Sequence, residues 1–128
     1  MASILRVNTL TDASSNNSTA MSTVFNGTAK AYSRYDISTN TQNNSYNISS
    51  TSDDGTGEFT INFSNNFSSG NEVVHSQGNS AGNTGLRVLH ATTTGIGQSG
   101  SLECHISYVN GTNIDAEDMP NVIFGDLA

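Results

Sequence analysis

Asp53-Asp54-Gly55-Thr56-Gly57-Glu58-Phe59-Thr60-Ile61-Asn62-Phe63 is the stretch that decides the fold class. Phe59, Ile61 and Phe63 recur at every second position, with Glu58, Thr60 and Asn62 between them. Successive side chains of a strand point to opposite faces, so this run predicts a half-buried strand with an apolar inner face. Asp-Gly next to an alternating run is a hairpin signature, because Gly accepts positive φ without steric cost. Gly55 or Gly57 is therefore expected at a positive-φ turn position.

The same period extends in both directions. Ala31, Ser33, Tyr35 and Ile37 share one face, while Lys30, Arg34 and Asp36 lie on the other with Tyr32. The polar cluster at 40–44 reads as a turn, and Tyr46 and Ile48 open a new strand. Val73-Val74-His75 and residues 86–91 each predict a strand. Leu102, Cys104, Ile106 and Tyr108 then alternate against Glu103, His105 and Ser107, and Asn110-Gly111 closes that strand. Residues 115–119 have room for one helical turn stopped by Pro120, and Asn121-Val122-Ile123-Phe124 forms the last strand. The expected fold is all-β: an antiparallel β-sandwich, jelly-roll-like, of about seven or eight short strands. It occupies residues 21–128, preceded by an extended N-terminal arm and polar linker at 1–20.

Composition narrows the function. Leu, Ile, Val and Phe number 26 of 128 residues, whereas Asn, Ser and Thr supply 51. That suits strands with one wet face, and it leaves a lone domain with a thin core. Four basic residues against eleven acidic ones give a net charge of −7, which argues against nucleic acid and against anionic membranes as partners. No apolar run approaches the roughly 20 residues of a membrane span. The residues after Met1 do not form a charged leader with a long apolar run, so the chain is expected to be made and assembled in a cytosol.

Several motifs match chemistry only by letter. Gly95-Ile96-Gly97-Gln98-Ser99-Gly100 has the dinucleotide spacing, but a strand rather than a helix is expected after it. Gly78-Asn79-Ser80-Ala81-Gly82 has the nucleophile-elbow spacing without the strand-turn-helix it requires. His75, His90 and His105 recur at intervals of 15, and adjacent strands could gather them, but no His-x-His pair supports a metal site. Asp115, Glu117 and Asp118 lack the glycine spacing of a calcium loop and read as a solvated turn. Cys104 is the only cysteine, so there is no intrachain disulfide, and its strand neighbours make it a buried small residue. No catalytic, cofactor-binding or metal-binding residue is assigned, and the chain is read as non-enzymatic.

Four segments together resemble a group of marine, cyanophage-type virion structural proteins. They are Ile4-Leu5-Arg6-Val7-Asn8-Thr9-Leu10-Thr11-Asp12-Ala13-Ser14-Ser15; Asn26-Gly27-Thr28-Ala29-Lys30-Ala31; the Asp54-Gly55-Thr56-Gly57 hairpin; and Asn121-Val122-Ile123-Phe124-Gly125-Asp126-Leu127-Ala128. Tyr32 stands where that group often has Trp. The resemblance implies a part of the virion surface, assembled in the host cytoplasm: a tail-fibre-like, head-fibre or knob component, or a tail appendage, and it implies a trimer. Ile4, Leu5, Val7 and Leu10 are apolar yet set apart from the domain, and are expected to contact sister chains or a capsid or tail protein. Two alternatives stand beside this: a capsid decoration protein, and a carbohydrate-binding module for host envelope glycans in which Tyr32, Tyr35 and Tyr46 supply a stacking platform. A glycan hydrolase would need two facing carboxylates, which the sequence does not place.

Overall fold

The elements run β1 (Thr9–Thr11), β2 (Ser18–Ala20), α1 (Met21–Gly27), β3 (Ala31–Asp36), β4 (Thr41–Tyr46), β5 (Ile48–Gly55), β6 (Glu58–Phe63), β7 (Val73–Ser76), β8 (Arg87–Ala91), β9 (Ser101–Tyr108) and β10 (Met119–Phe124). The computed structural model describes residues 6–14, 17–69, 72–76, 87–91, 99–108 and 110–128, with the side chains of 87–91 outside that description. All the strand pairs are antiparallel. Strands β4-β3-β10-β7 form a first sheet and β5-β6-β9-β8 a second, while β1 and β2 pair only with each other.

The two four-stranded sheets share one core, as expected of an all-β sandwich. Ala31, Tyr35, Met119 and Ile123 from the first sheet are buried with Phe59, Ile61, Phe63, Leu102, Cys104 and Ile106 from the second. The Tyr35 and Phe59 rings meet between the sheets with centroids 5.6 Å apart. Within that class the strand order is distinctive. The hairpins β3–β4, β5–β6 and β8–β9 each stay in one sheet, where a jelly roll's consecutive strands mostly alternate between sheets.

The β5–β6 hairpin has the expected turn. Gly55 pairs with Glu58 across Thr56-Gly57, and both glycines have positive φ, 146° and 73°. The Gly57 N–H donates to Asp115 Oδ1 at 2.7 Å, and its carbonyl accepts from the Ile106 N–H. This locks the turn to the segment joining β9 to β10. That segment is not the helical turn expected at 115–119. Ala116 is buried, its carbonyl accepts from the Ile37 N–H, and Asp118 takes φ 50° before β10 begins. With the Ala116 carbonyl taken by Ile37 and Asp118 in the left-handed region, the backbone here is committed to other partners and geometry than a helical turn.

Three further differences arise where no apolar face marks the element. The cluster read as a turn at 40–44 holds only one turn residue, Asn40 at φ 50°; Thr41 onwards is β4. As an edge strand with no buried residue, β4 carries no apolar alternation. It also has a bulge opposite Arg34/Tyr35. There the Gln42 side chain donates to the Arg34 and Asn44 carbonyls and accepts from Ser33 Oγ. The arm is not extended. β1 and β2 form a hairpin closed by the Asp12 N–H donating to the Asn17 carbonyl, and α1 follows at once. A seven-residue helix with no side-chain N-cap repeats its apolar spacing, Met21, Val24 and Phe25, only once, too briefly to mark a helix in sequence.

Asn47 alone carries the chain from the first sheet to the second, in the left-handed region at φ 57°. Asn tolerates that region better than other side chains. Its side chain pins the corner, accepting from the Asn65 N–H at 2.8 Å and donating to the Asn65 carbonyl. The far end of the core is closed by Phe67, buried edge-on against Phe63 at 4.8 Å.

Candidate functional site

The outer face of the first sheet carries one cross-strand row that is aromatic and apolar. The registers place Tyr46 opposite Tyr32, Tyr32 opposite Val122, and Val122 opposite His75, so the row spans β4, β3, β10 and β7. The Tyr32 and Tyr46 rings stack with centroids 5.9 Å apart and 25° between planes. They stay 40% and 55% exposed. Tyr35, expected beside them, is fully buried and donates its hydroxyl to Asn40 Oδ1 at 2.7 Å. Strand alternation forces this, since Tyr32 and Tyr35 stand an odd number of positions apart on one strand. The platform is therefore a pair, Tyr32 and Tyr46.

A polar rim flanks the pair. Arg34 donates to both carboxylate oxygens of Asp118, Nε to Oδ1 at 3.0 Å and Nη2 to Oδ2 at 2.7 Å, which raises the guanidinium pKa. Asn43 Nδ2, on the β4 bulge, reaches the same carboxylate at 3.4 Å. Asn44 stands opposite Arg34 on the same face as Tyr46. At the other end of the face, Val73 is 66% exposed beside a hollow of about 430 Å³ lined by Asn26, Ser69, Val73, Phe124, Gly125 and Asp126.

The arm is the second candidate region. Every described residue from 6 to 20 is exposed, Val7 and Leu10 among them, and α1 buries no residue. Ile4 and Leu5 lie outside the described residues. Lys30 ties α1 to the sandwich. Its backbone N–H donates to the Ile123 carbonyl, its ammonium donates to the Phe25 carbonyl, and that ammonium sits 3.6 Å from the Phe25 ring centroid. Phe25 nonetheless remains half exposed.

The outer face of the second sheet is acidic. Asp54, Glu58, Glu103 and His105 line a shallow hollow of about 340 Å³. Asp54 accepts hydrogen bonds from Thr60 and Ser52, and His105 Nδ1 lies 3.7 Å from Glu58 Oε1. The three histidines are not gathered. His105 pairs in register with His90 on the second sheet, while His75 sits on the first. Among the described residues no cluster of three or more His, Cys, Asp or Glu side chains could hold a metal ion. Burial pushes the Cys104 thiol up to about 12, as fits a packing residue. The glycine-rich matches at 78–82 and 95–98 lie outside the described residues, and strand β9 follows Gly100 where a nucleotide fold needs a helix. Comparison with protein-family models, with curated proteins and with solved structures finds no match.

Proposed function

We propose that this chain is a non-enzymatic structural subunit of a bacteriophage virion surface: a fibre, knob or tail-appendage component fixed through its N-terminal arm. The observation that carries the reading is the arm itself. A two-stranded hairpin alone in water is marginal, yet β1–β2 and α1 are formed while burying none of Val7, Leu10 and Phe25. Such a segment acquires its cover from another surface, and the surfaces available to a subunit of this class are sister chains and a capsid or tail protein. The thin core points the same way, since area buried between subunits adds about 25 cal/mol per Å² to what the sandwich buries alone. A trimer, and the virion itself, rest on the sequence resemblance described above.

Light scattering on the full chain and on one shortened to begin at Met21, with antibody labelling of purified particles, tests the reading. The expected result is an oligomer that needs the arm, and labelled particles. A full-length monomer at micromolar concentration, unchanged by shortening and absent from particles, overturns it.

A further inference from the structure

We infer that the row Tyr46–Tyr32–Val122–His75 is a binding site for an uncharged hexose oligosaccharide, lying across the first sheet on the Tyr32–Tyr46 pair. This site shares no residue with the arm, so it stands or falls separately from the docking proposed above.

Chemistry selects the ligand class. The face of a pyranose ring presents C–H groups, and it packs on the electron-rich face of an aromatic ring while its hydroxyls stay at the edges. A saccharide therefore needs flat aromatic surface with planar hydrogen-bonding groups beside it, rather than a deep apolar pocket. The first sheet presents that combination. Tyr32 and Tyr46 stack on each other yet stay 40% and 55% exposed, so the pair keeps ring surface open, and the Arg34–Asp118 fork and the amides of Asn43 and Asn44 lie one register step away. The fork holds Arg34 in one geometry, so a hydroxyl meets a pre-ordered donor. At about 4.8 Å between strands, the row is roughly 14 Å long, which suits a short oligosaccharide rather than a single ring.

Charge selects within the class. The rim's only described ion pair, Arg34–Asp118, is neutral as a pair, and the whole chain carries −7. With screening over about 8 Å at physiological salt, an acidic polysaccharide on this face is drawn by no unpaired guanidinium among the described rim residues, because Arg34 is already neutralised by Asp118. An uncharged hexose polymer needs no such partner. Tyr46 also sits at the end of an edge strand that is otherwise wholly polar, TQNNSY, and that buries nothing of its own. A second apolar partner for its ring is supplied by the ligand.

The test uses the full chain with cellohexaose, mannohexaose and galactohexaose as probes, and hexagalacturonate as the acidic comparison. Titration is followed by tyrosine fluorescence, which no tryptophan obscures. The expected result is binding of at least one neutral probe at millimolar Kd or better, weakened about tenfold by Tyr32→Ala and by Tyr46→Ala and retained by Tyr46→Phe. Nitration of Tyr32 and Tyr46 in the unaltered chain should slow in the presence of that probe, a readout that needs no variant to fold. No binding of any neutral probe in the millimolar range overturns the site. So does binding that both alanine variants leave intact, binding without protection of either tyrosine, or preference for hexagalacturonate.

Discussion

Strands β6 and β9 and the N-terminal arm all carry apolar side chains, and they treat them in opposite ways. In β6 and β9 each apolar side chain at every second position goes inward: Phe59, Ile61 and Phe63 against Leu102, Cys104 and Ile106. In the arm, Val7 and Leu10 face water, and in the helix that follows it Phe25 stays half exposed under the Lys30 ammonium. The first region is folded by what it buries within the chain, and the second has its hydrogen-bonded shape without any such burial. Backbone pairing alone is a weak determinant of structure, because its net contribution per bond is only about 1 kcal/mol. The contrast therefore separates a part that determines its own fold from a part whose apolar side chains nothing among the described residues covers.

The largest expected effect lies where the self-folding region is tightest. A side chain at Gly57 would run into the Ile106 carbonyl and come within 2.8 Å of the Ile114 nitrogen, at a φ of 73°. Backbone atoms cannot step aside, so Gly57→Val should cost about 4 kcal/mol or more and leave no cooperative unfolding transition. Gly111 has a similar φ of 84° with nothing nearby, so Gly111→Val should cost only about 1–2 kcal/mol. Equal losses in urea unfolding would show that conformation, not the closeness of β9, governs the turn.

Next in size is the interior itself. Phe59→Ala removes a ring packed between the sheets against Tyr35 and should cost about 3–5 kcal/mol. Asn44→Ala, on the exposed edge strand β4, should stay within about 0.5 kcal/mol. If the two variants unfold at the same denaturant concentration, the core described above is not what holds the chain.

These regions were also unequally legible from sequence. β6 and β9 announce themselves because burial on one face forces period two. The inner face of β6 was readable residue by residue. In β9, Leu102, Cys104 and Ile106 go inward as read, but Tyr108 is only partly buried and Ser107, read as outward, is buried. The β5–β6 turn was readable for a different reason, since Asp-Gly beside an alternating run marks a positive-φ turn, which both glycines adopt. β4 was not, because an edge strand that buries nothing has no pattern to show; nor was α1, whose apolar Met21, Val24 and Phe25 span little more than one turn and whose N-terminus has no side-chain cap. The candidate site was half visible. Alternation along β3 already set Tyr32 and Tyr35 on opposite faces, yet the partnership of Tyr32 with Tyr46 depends on register. That register is set by the Asn40 turn and by a bulge that Gln42 stabilises through its side chain. Neither leaves a trace in hydrophobic period.

A smaller effect should appear with pH. The Cys104 thiol rises from 9.0 to about 12 through burial, and burial also raises the Tyr35 hydroxyl, helped by Asp53, Asp54 and Asp36. Both groups hold their protons longer folded than unfolded. Their contribution to stability is whole below pH 9 and is lost as pH rises towards 12. Urea midpoints should therefore fall across that window, and Cys104→Ala should make the fall shallower. An unchanged slope in the variant would mean the thiol is not sealed from water.

The smallest effect on stability should come from the arm, and it is the sharpest test of the contrast. Leu10 lies on β1, exposed, paired with Thr19 and packed against nothing in the core. Leu10→Asp removes no burial within the chain and leaves the backbone bonds of the hairpin available. The unfolding free energy of the sandwich read from urea titration should therefore change by no more than about 0.5 kcal/mol. If the arm is shaped to be covered by a sister chain or another virion protein, the same substitution places a charge in a desolvated contact, which costs several kcal/mol unless paired. Assembly should then fail while folding survives. Sedimentation and urea unfolding on the same sample would read both, at several protein concentrations, because stability linked to assembly rises with concentration. A variant that loses stability while remaining monomeric would place Leu10 within the chain's own fold and erase the distinction between the two regions.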